Sequence, residues 1–115
     1  MTKKEKIKLL DGLSLIYNKI TLLECESRER GDEELTASLA TKKTALRKVI
    51  DDLSSSLTDD WGGNAARTSK KLSAAAGGID KNIGEIEKNI KTAENIVKAS
   101  KYLDKVIITA AQIMK

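Results

Sequence analysis

The sequence predicts an all-α protein, an antiparallel bundle of about four helices in one domain spanning residues 1–115. Three observations carry this. Apolar residues recur in steps of three and four through long stretches, and strand-like alternation is absent. The 115 residues include no proline and 33% charged side chains, a composition that favours helix. Aromatic residues are confined to Tyr17, Trp61 and Tyr102, so a core must be built from Leu, Ile, Val and Ala. A chain of this length can bury such a core without disulfide or metal staples.

Helix 1 is expected from about residue 3 to 29. Thr2-Lys3-Lys4-Glu5 has the form of a capping box, in which the threonine hydroxyl and the glutamate three residues on satisfy free backbone N–H groups. Leu9, Leu10, Leu13, Ile16, Tyr17, Ile20 and Leu23 give its buried face. Residues 24–34 then lack any large apolar side chain, and Gly31-Asp32 reads as a C-cap glycine followed by a new N-cap. Cys25 reads as a small, half-buried filler. As the one cysteine it can form no intrachain disulfide.

Helix 2 is expected from about 33 to 57. Asp32, Glu33 and Glu34 suit the positive end of a helix dipole. Leu35, Leu39, Leu46, Val49, Ile50, Leu53 and Leu57 form its stripe, which Lys42 interrupts. That lysine is expected to lay its stem along the core and send its ammonium to water. A turn at 59–63 follows, carrying Trp61-Gly62-Gly63. Two readings of Trp61 stay open: a staple for the helix ends, or an exposed aromatic anchor for a partner.

Helix 3, about 64–76, is short and alanine-rich, with Asn64 as its N-cap. Gly77-Gly78 is the expected break before helix 4, about 79–114. The alternative is one continuous helix, because Leu72, Ala76, Ile79 and Ile83 stay in register across the two glycines. From Ile79 to Met114 a single helix would be about 54 Å long at ~1.5 Å per residue. A compact chain of this size is roughly 35 Å across. The protein must therefore be elongated, or this helix must bend. The stripe of Ile79, Ile83, Ile86, Ile90, Ala93 and Val97 also changes phase by roughly 110° before Leu103, at ~100° per residue. That change predicts a wider covered face or an axis break between Lys98 and Lys101. The competing reading is that Val106, Ile107, Ala110, Ile113 and Met114 dock on a partner or a second copy. Gly84, inside the pattern, predicts a close backbone approach.

The chemistry on offer is sparse. Histidine is absent and cysteine occurs once, so a zinc, haem or iron–sulfur site has almost nothing to use. Gly62-Gly63 and Gly77-Gly78 lack the further glycines and the Lys-Ser/Thr of a phosphate loop. Adjacent helical carboxylates such as Asp51 and Asp52 point about 100° apart and make no joint site. Asp59 and Asp60 lack the ligand series of a calcium loop. The expectation is a non-enzyme with no cofactor, no metal and no catalytic residue.

Net charge is +4, with −3 in residues 31–60 and +7 in the rest. An acidic second helix lying beside basic neighbours accounts for that pattern. A nucleic-acid or membrane-surface binder is a weaker alternative, since the lysines are interspersed with acids and stacking aromatics are few. No stretch reads as a signal peptide or a membrane span. These features predict a cytoplasmic protein, with secretion lacking a cleaved signal as the alternative. The leading functional expectation is a small bacterial-type helical protein acting by protein–protein contact, as an adaptor, immunity or chaperone-like protein or by self-association. Its candidate surface is Trp61, Gly62 and Gly63, with Val106, Ile107, Ala110, Ile113 and Met114.

Trp61-Gly62-Gly63 also resembles, in type and place, the Trp-x-Gly bend of the WXG-type secreted proteins. That resemblance implies a two-armed helical hairpin and secretion without a cleaved leader. The family's Tyr-x-x-x-Asp/Glu tail signal is not matched, since Val106 lies four residues after Tyr102. The first half also divides at Gly31, where that family has one long arm.

Overall fold

Thr2 starts α1 (Lys3–Glu29) by accepting the Glu5 backbone N–H at 3.2 Å and donating its hydroxyl to the Glu5 carboxylate at 3.1 Å. The computed structural model describes residues 2–61 and 65–113. Helix α1 ends at Gly31, whose φ of 74° lies in the left-handed region that glycine enters without strain. Gly31 N–H donates to the Arg28 carbonyl and Asp32 N–H to the Ser27 carbonyl, each at 3.0 Å. This pair of bonds is a Schellman cap. Asp32 then caps α2 (Glu33–Ser55) by accepting the Leu35 N–H at 3.0 Å. The buried Ser27 hydroxyl meets Thr36 Oγ1 at 2.7 Å and ties the two helix ends together.

The second half forms α3 (Ala65–Glu87) and α4 (Thr92–Ala111). Gly77-Gly78 is therefore not a break, and the expected boundary there is corrected. Tertiary packing outweighs the cost of two helical glycines, roughly 2 kcal/mol. The close approach expected at Gly84 falls at Gly78 instead. Open space surrounds Gly84, whereas a Cβ at Gly78 would meet the Tyr102 ring 2.6 Å away.

The break lies at residues 88–91, earlier than the expected point between Lys98 and Lys101. Asn89 N–H donates to the Ile86 carbonyl and Ile90 N–H to the Glu85 carbonyl, both at 2.9 Å, giving a second Schellman cap. Asn89 takes the left-handed position with φ 59°. Lys91, the N-cap of α4, is also left-handed at φ 40°, with no side-chain cap. The buried Asn95 side chain donates to the Ile90 carbonyl at 2.7 Å and holds this turn closed. Asn95 and Ile96 already belong to the new buried face, so Ile90 and Val97 are left exposed.

The four helices run up, down, up, down. Residue numbers at the α1–α2 contacts (Glu24 with Lys43, Lys6 with Leu57) fall on one side as they rise on the other, the mark of antiparallel packing. Helix α2 then packs along α4 and joins the two hairpins. Lys42 sets that joint. Its ammonium does not simply reach water, as expected, but lies 2.7 Å from Ser100 Oγ and 3.1 Å from Asp104 Oδ2. One core runs through all four helices, with Leu13, Ile20, Leu23, Leu39, Leu46, Leu53, Ile79, Ile96 and Leu103 fully enclosed. Each such side chain contributes about 1.5–3 kcal/mol. Helices α1 and α3 meet more loosely, around an apolar groove of about 410 Å³ lined by Leu9, Gly12, Ile16, Leu72 and Ala76. The molecule measures 44 × 22 × 18 Å, so it is elongated as well as broken at 88–91.

Two outcomes follow for thermal and chemical denaturation. Gly77→Ala, with open space for its methyl group, stabilises α3 by ~0.5–1 kcal/mol, while Gly78→Ala displaces Tyr102 and lowers the midpoint. Lys91→Gly removes left-handed strain and raises stability by roughly 1 kcal/mol, whereas Asn89→Val lowers it.

Candidate functional site

Trp61 is buried, at 7% exposure, and its indole N–H donates to the Ser56 carbonyl at 3.0 Å. Of its two readings the structure takes the staple. The anchor it grips is Lys6, which sequence reasoning missed. Lys6 Nζ sits 5.1 Å from the Trp61 ring centroid and donates to the Leu57 and Asp59 carbonyls at 3.2 and 2.5 Å. Helix α2 has no basic residue in its own last turn, and Lys6 brings a cation to that negative end from α1. The signal was present, since Lys6 stands four residues before Leu10 and seven before Leu13, in phase with the buried stripe. Gly62, Gly63 and Asn64 lie outside the described residues.

The C-terminal candidates divide in the same way. Val106, Ala110 and Ile113 are core, covered by the chain's own helices, and Ile107 is half-buried against that core. Their burial fits the wider covered face, the first of the two expected readings. Met114 lies outside the described residues. Among the described residues, Ile108 is the large aliphatic exposed at this end, at 60%.

A few ionisable side chains hold helices together. Glu24, buried on α1, lies 3.0 Å from Lys43 Nζ of α2, at an angle short of a hydrogen bond. Lys43 also donates to Thr21 Oγ1 at 3.3 Å and lies 5.4 Å from the Tyr17 ring centroid. Lys19 of α1 pairs with Asp80 of α3. Glu94 bonds to Lys98 at 3.2 Å. That hydrogen bond and charge, with Lys91 beyond, hold the Glu94 carboxyl below the usual carboxylate range. Among the described residues no group of three or more His, Cys, Asp or Glu side chains could hold a metal ion. Cys25 is exposed, not the half-buried filler expected, since α1 turns it to the outer side.

That outer side of α1 carries a second row of aliphatic side chains, interrupted by exposed Asp11 between Ile7 and Leu15. Ile7, Leu15 and Leu22 are all exposed, Leu15 at 59%. Leu15 and Leu22 are two turns apart, about 10 Å along the axis. Lys4 and Lys8 flank the stripe at its N-terminal end, and Glu26 and Glu29 lie at the other.

Comparison with protein-family models, with curated proteins and with solved structures gives no match to this chain. The two-armed hairpin implied by Trp61-Gly62-Gly63 is not the architecture seen, which has four helices. Among the described residues no helix is long and apolar enough to cross a membrane.

The clamp makes a stability prediction. Trp61→Ala should cost about 3–5 kcal/mol in urea unfolding, as expected of a buried aromatic. Lys6→Met keeps the stem but leaves two carbonyls without their donor, and should cost about 1–3 kcal/mol.

Proposed function

We propose that this chain is a non-enzymatic binding protein that works through protein–protein contact, with a second copy of itself as the partner. The observation that supports this is the outward stripe of Ile7, Leu15 and Leu22 on α1, three large aliphatic side chains left in water on one helix face. Isolated exposed aliphatics are ordinary, but an aligned set rimmed by charge is the pattern of an interaction surface.

The charge order favours a second copy. The outer face of α1 is basic near Lys4 and Lys8 and acidic near Glu26 and Glu29. A two-fold axis at Leu15 would lay two α1 helices antiparallel, with Lys4 facing Glu26 and Ile7 close to Leu22. The same patch then serves on both sides, as two-fold pairing requires. The engagement of Lys6, Lys19, Lys42 and Lys43 in structural contacts accords with a role in binding and not in catalysis.

Sedimentation across a dilution series tests this. The wild-type chain should show concentration-dependent association, and Leu15→Glu with Leu22→Glu should abolish it while leaving the helical circular dichroism intact. A wild-type chain that stays monomeric at every concentration would sink the self-pairing reading.

A further inference from the structure

The α3–α4 hairpin carries a cleft that neither the core nor the α1 stripe accounts for. Its volume is about 420 Å³. Helix α3 supplies Lys81, Asn82 and Glu85 at i, i+1 and i+4, and α4 supplies Lys98, Lys101 and Lys105 at i, i+3 and i+7. The two stripes face each other across Tyr102, whose ring lies against Gly78.

Charge in this cleft is unbalanced. Four lysines line it against one carboxylate, Glu85. The neighbouring acids are engaged elsewhere: Asp80 pairs with Lys19 of α1, and Asp104 with Lys42 of α2. Lys98 is shared with Glu94 on the rim. A concave site lined by one sign of charge concentrates ions of the other.

The second observation is independent of the lysines. Asn82 is only 5% exposed, and its amide nitrogen has no hydrogen-bond partner. Buried amide groups are nearly always satisfied, and this one belongs to a residue lining the cleft but lies beneath its surface, so a ligand meets it only when the side chains over it shift. The cation excess and the open donor ask for the same thing: an oxygen-rich anion.

We propose that the α3–α4 cleft binds a phosphate-bearing ligand, with Lys81 and Lys101 as its principal cations and the Asn82 amide as a neutral donor. Lysine binds phosphate as a point charge without fixed fork geometry, which suits a cleft lined by exposed, long side chains. Tyr102 forms the floor, held there because Gly78 has no side chain. A second hollow shares Tyr102 and Lys105 and adds Lys71, so the positive field extends along the hairpin. The chemistry fits a soluble phosphate ester or a lipid headgroup alike.

The test is a ¹H–¹⁵N NMR titration of the full chain with inorganic pyrophosphate, and in parallel with vesicles containing phosphatidic acid. The expected result is a saturable shift of the Asn82 side-chain amide and of backbone signals in 78–85 and 98–105. Lys81→Gln with Lys101→Gln should weaken the affinity by roughly tenfold or more. Asn82→Leu should remove part of the binding without unfolding α3, and Lys48→Gln on α2 should change nothing. A response to pyrophosphate assigns a soluble ligand, and a response to vesicles alone assigns a headgroup. No saturable shift with either, equal affinity in the double variant, or binding only of a single-stranded oligonucleotide overturns the proposal.

Discussion

Burial of an aliphatic stripe is the constraint on which this structure depends. With three aromatic residues in 115, no single large side chain can anchor the core. Each helix must bring a row of Leu, Ile, Val or Ala inward, and the rows must meet. This decides which polar groups are carried inside with them. Lys6, Glu24, Ser27, Asn95 and Ser100 are all buried, and each has a partner from a neighbouring turn or helix. A buried polar group is costly unless paired, so the stripe dictates the pairing. Two groups depart from this pattern: Glu24 Oε1, which has the Lys43 charge but no hydrogen bond, and the Asn82 amide nitrogen, which has no partner.

The sequence made much of this legible, for reasons that differ by element. Helices α1 and α2 are bounded by local chemistry, with Thr2 and Asp32 as caps and Gly31 as a stop, and such signals act within a few residues. The end of α3 was hidden because its left-handed residues are Asn89 and Lys91, neither of which announces a turn as glycine does. Gly77-Gly78 looked like the stronger stop, although the register of Leu72, Ala76, Ile79 and Ile83 held through it. The register was the better guide, since it reports packing and two glycines report only local cost. The phase change did signal a break. Counting Ala93 and Val97 with the first stripe placed that break nearly three turns late.

The candidate site was less legible, because whether an apolar residue faces a neighbour or the solvent depends on distant chain. Val106, Ala110 and Ile113 were as apolar in the sequence as Leu15 and Leu22, but the first set is enclosed and the second is not. Lys42 and Lys6 show the same limit for charge. Both stand in apolar stripes, and only the fold shows that each ammonium meets fixed acceptors: Ser100 and Asp104 in one case, two loop carbonyls in the other. The lysines of α3 and α4 look evenly mixed with acids along the chain, until Asp80 and Asp104 are drawn off by the opposite hairpin.

The contact of Lys6 with the loop after α2 has a bearing on how the chain assembles. Every group in it, from the first turn of α1 to the indole of Trp61, lies within the first 61 residues. The N-terminal hairpin thus fastens its open end with its own buckle and its other end with the Gly31 turn. That loop therefore draws on no residue of the later hairpin, whose first helix starts at Ala65.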